Sequence, residues 1–398
     1  MREVVIVEAA RTAVGRKNGT LARTHPLDML GPVQSAVLDR AGVDPGSVGQ
    51  VVGGCIDQVG AQSGNITRNA WLAAGLPQAV ACTTVDSACG SSQQAFNLAV
   101  GLVGSGAEDI ALACGVENMS TVPLGANAMD GAAAGHGKPV NRSYAAHYEF
   151  TSQFEGAERI ATKYGISRLD ADELGLESQL RARRALDEGR FETQLVPIEA
   201  VQVDDDGRRL DETVTFAVDE VPRETSLEAL AGLKPVARDD GIHTAGTSSQ
   251  IADGAAAVLI MAEDKAAELG LRARARVAHT CLVGCDPVLM LEGPIPATER
   301  LLDRSGLSLD DIHVVEINEA FASVVLAWAQ ACGADMEKVN PNGGAIALGH
   351  PLGGTGCILV TKALHELERS DGEHALVTMC CGGGLGTGTL LQRVARNV

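Results

Sequence analysis

Short apolar runs alternate with stretches of helical spacing along most of the chain. Each run holds four to seven residues, the length of a buried strand, and the residues between the runs repeat Ala, Val and Leu every three or four positions. This alternation is typical of a mostly parallel sheet covered by helices. The predicted strands are Val4–Glu8, Val51–Gly54, Thr83–Asp86, Ile110–Cys114, Ala255–Met261, Arg276–Cys281, Val314–Ile317 and Ala375–Met379.

The middle of the chain breaks this alternation. Between residues 121 and 250 polar, charged and glycine residues predominate, including the acidic run Asp204-Asp205-Asp206-Gly207. We expect an insertion rich in loops, with the strand and helix alternation resuming at Ile251.

A weak internal repeat relates the two ends of the chain. The small-residue segment Cys89–Ser92 precedes a helical stretch and then the apolar run 109–115, and Gly353–Gly356 precedes a similar stretch and the run 374–380. The spacing is nearly the same in both. The repeat predicts a duplicated α/β unit, with an active site where the halves meet.

Charge and length narrow the function classes. The 398 residues carry 51 acidic and 32 basic side chains, a net charge of −19, which disfavours nucleic acids and anionic membrane surfaces as partners. No apolar run approaches the ~20 residues of a membrane span. The chain opens on a strand-like run that leaves no room for a signal peptide, and its ten cysteines favour a reducing compartment. We therefore expect a cytoplasmic α/β enzyme.

Cys89 is the first candidate for chemistry. It follows a predicted strand and directly precedes a helix start of small residues. Free N–H groups and the positive end of a helix dipole lower the pKa of a thiol and favour the nucleophilic thiolate. The ordinary alternative is a buried structural cysteine, and the position alone does not decide between the two.

Three further segments could supply catalytic groups. His350, between Gly349 and Pro351, is a candidate base or oxyanion donor, or else a turn histidine. The segment Cys380–Gly384 leaves a strand into a glycine-rich turn, which can aim a thiol and a backbone N–H at one point. Asn318 stands at a strand end, where an ordinary helix cap is the alternative.

Other cofactor chemistry has little support in the sequence. The turn after Cys380 contains neither G-x-G-x-x-G nor a P-loop, which disfavours nucleotide-cofactor oxidoreductases and nucleotide hydrolases. Cys281 and Cys285, with His279 nearby, lack a second matching pair at zinc spacing. We predict no metal site and assign this pair to core packing.

Taken together, the motifs resemble those of the thiolase family, and the likeness covers essentially the whole chain. Further similar segments are Val7–Thr12, Thr244–Ser249 and Gly293–Ala297. The four motifs, in the order of the family, are Cys89-Gly90-Ser91-Ser92, Asn318-Glu319-Ala320-Phe321, Gly349-His350-Pro351 and Cys380-x-Gly382-Gly383-Gly384.

The resemblance implies a duplicated αβαβα five-layer fold with an inserted loop domain. We expect a first half at 1–120 plus 251–272, a loop domain that covers coenzyme A at 121–250, and a second half at 273–398.

The resemblance also implies roles for single residues. Cys89 would be the acylated nucleophile, His350 the base that accepts its proton, and Cys380 the acid/base thiol at the α-carbon. Asn318 would hold a water that stabilises the enolate oxygen together with His350. The backbone N–H groups of Cys89 and Gly382 would form a second oxyanion hole.

Two contacts to coenzyme A are expected by the same match: Arg223 at the adenine end and Ser249 at the pantetheine arm. Coenzyme A would be a substrate, with no tightly bound cofactor. The chain departs from the usual family pattern at Ser92 and in Asp86-Ser87-Ala88, departures that would reshape the acyl pocket.

The resemblance therefore predicts a thiolase that cleaves 3-oxoacyl-CoA with CoA in lipid β-oxidation, reversible as a Claisen condensation. Two segments of the middle region, Phe150–Gln153 and Lys163–Arg168, are similar to the corresponding segments of degradative thiolases. This similarity favours a long or bulky acyl chain. The alternatives are a biosynthetic acetoacetyl-CoA thiolase and a non-catalytic acyl-CoA-binding relative. A homodimer or homotetramer with partner enzymes of β-oxidation is expected.

Overall fold

The computed structural model describes residues 2–204 and 209–395, so most of the acidic run at 204–207 lies outside the described residues. Within these ranges, no helix has both the length and the apolar character to cross a membrane. The strands are β1 Val4–Thr12, β2 Gly15–Arg16, β3 Gln50–Gly54, β4 Ala81–Val85, β5 Ile110–Asn118, β6 Leu195–Val196, β7 Ile198–Val203, β8 Arg209–Phe216, β9 Ala252–Ala262, β10 Ala275–Gly284, β11 Val314–Ile317, β12 His374–Cys381 and β13 Leu385–Arg393.

Thirteen α-helices are found in the described ranges, together with five short 3₁₀ turns. The helices are α1 Pro26–Ala41, α2 Ile66–Ala73, α3 Ser91–Ser105, α4 Ala126–Ala133, α5 Arg142–Ala145, α6 Gln153–Tyr164, α7 Arg168–Asp187, α8 Leu227–Ala231, α9 Glu263–Glu268, α10 Pro294–Ser305, α11 Ala322–Cys332, α12 Ala345–Leu348 and α13 Leu352–Ser370.

The main sheet consists of two halves with matching strand order. The first runs β4-β3-β5-β9-β1 and the second β11-β12-β13-β10. In the first half β4, β3 and β5 are parallel, and β9 and β1 follow as antiparallel neighbours. In the second half β11 and β12 are parallel, and β13 and β10 follow as antiparallel neighbours. Val339 pairs with β11 at the place that β4 holds in the first half. The halves join where Val5 and Ile6 of β1 pair with Arg276 and Ala275 of β10. This matching order confirms the predicted duplication.

Two helices form the centre of the molecule between the half-sheets. Helix α3 packs on β3 and β5 and also on β13, whereas α13 packs on β5 and β9 and also on β11 and β12. Helices α1 and α2 cover the outer face of the first half, and α10 and α11 that of the second. The five layers are therefore α, β, α, β, α.

The central helices approach so closely that small residues are required. A Cβ on Gly356 of α13 would overlap the backbone of Gln93 in α3, and one on Gly115 of β5 would overlap Ser92. The Ser92 hydroxyl lies in this contact, where it accepts a hydrogen bond of 3.0 Å from the backbone N–H of Cys357. Ser92 thus joins the two helices and does not itself line the cavity described below.

The middle segment is more regular than the sequence pattern predicted. It holds α4 to α8 and the hairpin β7–β8, and its longest helix, α7, begins with a capping box between Ser167 and Asp170. Its polar pattern arises because α6 and α7 bury one face only. The chain returns to the sheet at β9, beside β5.

Candidate active site

Cys89 lies in a tight turn between β4 and α3. The turn forces Ala88 to φ +50°, which is unusual for a residue with a side chain. The Ser91 hydroxyl holds it by donating to the Ala88 carbonyl at 2.6 Å. Burial raises the pKa of the Cys89 thiol to about 11, although the backbone N–H groups of Gly382 and Cys89 act in the opposite direction. The expected lowering of its pKa is wrong, because desolvation outweighs the two backbone N–H groups.

His350 is fixed by three hydrogen bonds. Its backbone N–H donates to the Gln250 carbonyl at 3.0 Å. Its Nδ1 lies 2.6 Å from the Thr355 hydroxyl, and its Nε2 lies 3.3 Å from the Asn318 amide nitrogen. Burial, with 3% of the residue exposed, lowers the pKa of the imidazole to about 3. His350 is therefore neutral at rest, a form that can accept a proton.

Asn318 is not a helix cap. Helix α11 begins at Ala322, and the residue before it, Phe321, makes no side-chain cap bond. Asn318 instead follows β11 with its backbone N–H on the Thr378 carbonyl at 3.1 Å. Its buried Oδ1 has no hydrogen-bond partner among the described residues. An acceptor beside His350 is thus available to a small polar molecule.

The two adjacent cysteines of β12 point to opposite sides of the strand, as alternate residues must. Cys380 and Cys89 line the same cavity. Burial first, and then the electrostatic effect of the nearby Cys89, raise the pKa of Cys380 well above the ordinary value of a thiol. The Cys381 sulfur lies against α3, where a Cβ on Gly90 would overlap it. Of these two cysteines, Cys380 alone lines the cavity.

The cavity between the halves has a volume of about 90 Å³ and is narrow. Cys89, His350 and Cys380 line it together although they lie far apart in sequence. Its other walls are mainly apolar: Met119, Leu124, Phe154, Ile251, Leu291, Ala320, Phe321 and Leu352, with Gln153 and Ser248 to Gln250.

A wider cleft of about 660 Å³ adjoins the cavity and shares Phe154 and residues 248–251 with it. Arg16, Lys17 and Arg223 line this cleft, against one acidic residue, Glu220. Ser249 also lines it. Both predicted coenzyme A contacts therefore lie in one basic cleft that leads to the two thiols, on a protein of net charge −19.

Several residues that organise the site received no role in the sequence analysis. Thr355 contacts His350 directly, and the only signal for it in the sequence is its place in a Gly-x-Gly run five residues after His350.

Two buried carboxylates hold the segments on either side of His350. Glu319 holds the segment before His350, because it accepts hydrogen bonds from Ser178, Asn340 and Ile346. Glu117 accepts one from the Gly353 N–H at the start of α13. Their partners are distant in sequence.

Cys281 and Cys285 belong to the packing of the second half. The Cys281 thiol is 3.6 Å from the Ala297 carbonyl, and the Cys285 thiol is 3.8 Å from the Met290 carbonyl. Across residues 2–204 and 209–395, no group of three or more His, Cys, Asp and Glu side chains is placed to hold a metal ion.

Comparisons with known proteins agree with this geometry. The family model described as thiolase, N-terminal domain, matches residues 4–264, and that described as thiolase, C-terminal domain, matches residues 271–393. The chain belongs to the thiolase family. The predicted family, the duplicated α/β fold and the enzyme class of acyltransferase are thereby confirmed.

Relatives at high coverage carry two kinds of name. A steroid 3-ketoacyl-CoA thiolase of Mycobacterium tuberculosis is 46% identical, covering 99% of this chain and 95% of the relative. An acetyl-CoA acetyltransferase of Pseudomonas aeruginosa is 41% identical, covering 99% and 100%. The crystal structure of a Bacillus anthracis acetyl-CoA acetyltransferase superposes with a TM-score of 0.90 at 34% identity, covering 99% of both chains.

Proposed function

We propose that this thiolase degrades 3-oxoacyl-CoA, using CoA to release acetyl-CoA and a shortened acyl-CoA. The observation that carries the proposal is the meeting of two thiols and one neutral imidazole, Cys89, Cys380 and His350, in one cavity at the end of a basic cleft. Thiolysis needs one thiol to attack a ketone and a second group to manage a carbon-bound proton, because one residue cannot hold both positions.

The first half-reaction begins with proton transfer from Cys89 to Nε2 of His350. The thiolate attacks the 3-keto carbon, and the bond between C2 and C3 breaks as its electron pair moves into an enolate of acetyl-CoA. Cys380 protonates C2 of this enolate. Acetyl-CoA leaves, the acyl group stays on Cys89, and Cys380 is left as a thiolate.

The second half-reaction restores both thiols. The Cys380 thiolate takes the proton of the incoming CoA thiol, and the CoA thiolate attacks the acyl carbon on Cys89. Cys89 leaves as a thiolate and regains its proton from His350. The proton lost by CoA thus balances the one gained by acetyl-CoA.

Two groups of donors stabilise negative oxygen in these steps. We assign the oxyanion on C3 to the backbone N–H groups of Cys89 and Gly382, since the Gly382 N–H already reaches the Cys89 sulfur. The enolate oxygen would accept from protonated His350 and from a water held by Asn318. The free Oδ1 of Asn318 supports the second assignment.

Residues 121–250 would cover coenzyme A. Arg223 donates to the Gln250 side chain and the Ala245 carbonyl at 3.1 Å each, which keeps its guanidinium in the basic cleft. Phosphates of the nucleotide would bind beside it, and the pantetheine arm would pass Ser249 towards the thiols. We retain the boundaries 1–120 plus 251–272, 121–250 and 273–398 as a proposed domain division.

The acyl group is proposed to be long or bulky. The cavity of about 90 Å³ suits a short chain, roughly three waters by volume, so a larger group has to displace a wall. Leu124, 38% exposed, closes the cavity just before α4, and an exposed apolar side chain at this wall could move to admit a larger acyl group. The small cavity itself favours the second candidate, a biosynthetic acetoacetyl-CoA thiolase.

Assembly and location complete the proposal. Strand β4 is an edge of the sheet with exposed positions, and a second copy could pair with it in a homodimer or homotetramer. Ten free thiols, two of them required by the chemistry, suit a reducing compartment, which we take to be the cytoplasm. Partner enzymes of β-oxidation would supply the substrate.

Steady-state thiolysis tests the function, with CoA and a series from acetoacetyl-CoA through medium, long and ring-bearing 3-oxoacyl-CoA. Cys89→Ala serves as the blank. Preference for the longer or bulky substrates is expected, and turnover of acetoacetyl-CoA alone would favour the biosynthetic enzyme instead. No turnover above the blank for any substrate would refute both.

A further inference from the structure

Among the described residues, Thr355 is the only one whose side chain is hydrogen-bonded to Nδ1 of His350, and Thr355 does not itself line the cavity. It lies in the first turns of α13, buried with 2% of its surface exposed. The distance between Nδ1 and the hydroxyl oxygen is 2.6 Å, among the shortest side-chain contacts around the site. A threonine here does more than fill space.

The direction of this hydrogen bond follows from the hydroxyl's other contact. The Thr355 hydroxyl donates to the Pro351 carbonyl at 3.1 Å, one helical turn back. A hydroxyl has a single hydrogen, so once that hydrogen is given to Pro351 the oxygen can only accept from His350. The proton of the neutral ring is therefore on Nδ1, and the lone pair is on Nε2, towards Asn318 and the cavity.

We propose that Thr355 is a positioning residue of the reaction, which holds His350 in the tautomer whose Nε2 can take the proton of Cys89. The inference rests on the proposed role of His350 as the base. In the opposite tautomer Nε2 would carry a hydrogen and could not accept the thiol proton. When Nε2 is protonated, the Thr355 oxygen still receives the Nδ1 hydrogen, and the Thr355 hydroxyl still donates to the Pro351 carbonyl.

Thr355→Val tests the proposal because it removes the hydroxyl and keeps the shape, and Thr355→Ser restores the hydroxyl. Thr355→Val should lower kcat of thiolysis about 10- to 100-fold, the effect of one hydrogen bond to a charged group, with KM for both substrates within about twofold. Thr355→Ser should remain close to wild type. Thr355→Ala replaces the valine variant if the latter does not fold.

A double-mutant cycle separates positioning from a structural effect. The readout is the rate of iodoacetamide alkylation of Cys89, which does not require turnover. Thr355→Val should slow it in the wild-type background and leave it unchanged within about twofold in the His350→Gln background. Equal slowing in both backgrounds, or a serine variant as impaired as the valine variant, would overturn the proposal.

The same cycle distinguishes this inference from the function on which it rests. If His350→Gln alone leaves both alkylation and thiolysis unchanged, His350 is not the base and the proposed mechanism fails, together with the role of Thr355. If His350→Gln impairs both but Thr355→Val impairs neither, only the positioning role is overturned.

Discussion

The Glu158–His243 pair connects helix α6 to the loop that carries Ser248 and Ser249. Both residues are buried, with 2% and 0% of their surface exposed. The Glu158 carboxylate accepts from the backbone N–H groups of Ile242 and His243 and lies 3.0 Å from Nδ1 of His243. Burial raises its pKa, but these hydrogen bonds outweigh it and bring the pKa to about 2.

The magnitude of Glu158→Gln follows from this pKa. A carboxylate whose pKa falls from 4.5 to about 2 on folding contributes about 3 kcal/mol at neutral pH. A depressed carboxylate pKa stabilises the fold above pH 4.5, and the contribution is lost as the pH falls towards 2. Glu158→Gln should therefore lower the free energy of unfolding by about 3 kcal/mol at pH 7, and the difference from wild type should narrow below pH 4.5.

The matched control is Glu155→Gln on the same helix. Glu155 pairs with Arg159 and Arg238 at a partly exposed position, so its loss should cost at most about 1 kcal/mol. Urea unfolding gives both values, and KM for CoA should rise in Glu158→Gln alone, because the loop with Ser249 loses its anchor. Equal destabilisation by the two variants, or a loss below 1 kcal/mol in Glu158→Gln, would refute the reasoning.

Three further predictions address the site itself. Cys380→Ser should abolish thiolysis yet leave the Cys89 thiol open to alkylation. Cys381→Ser should keep most of the turnover, because the Cys381 sulfur faces α3. Equal losses of turnover in the two variants would contradict the assignment of Cys380 as the acid/base thiol. A thiol with a pKa of about 11 is ionised in about one molecule in 10³ at pH 8. Alkylation of Cys89 in His350→Gln should accordingly be slow at pH 8, and its rate should rise about tenfold per pH unit. An alkylation rate equal to that of wild type would show that His350 is not the base. Arg223→Ala should raise KM for CoA with kcat nearly unchanged, whereas Arg238→Ala, outside the cleft, should leave KM for CoA unchanged. Equal KM values for the two variants in steady-state kinetics would contradict this prediction.

The sequence pattern located most of the sheet because buried strands are short and apolar. All eight predicted strands exist, and Val314–Ile317 matches its observed bounds. Strand β13 is not among the predicted strands, because Gly386 and Gly388 weaken its apolar signal. These glycines are required by packing: a Cβ on Gly386 would overlap the Gly293 backbone. Such a contact joins positions far apart in the chain and leaves no local pattern.

The candidate site could be predicted as a set of motifs, but its electrostatics could not. Cys89 before α3 suggested a lowered pKa, and only the depth of the thiol shows that burial raises it. Ser92 was connected with the acyl pocket because it departs from the usual family pattern. The helix turn directs it instead onto Cys357 of α13. Local sequence gives the residue types, whereas their environment depends on the packing of the two halves.

The most direct test of the central claim is mass spectrometry of the protein quenched in acid after mixing with a 3-oxoacyl-CoA in the absence of CoA. The account predicts that the chain gains the mass of the shortened acyl group, that the group maps to the peptide with Cys89, and that added CoA removes it. Acylation of Cys380 instead would contradict it. So would the absence of an acylated chain before CoA is added, in a preparation that turns over rapidly once CoA is present.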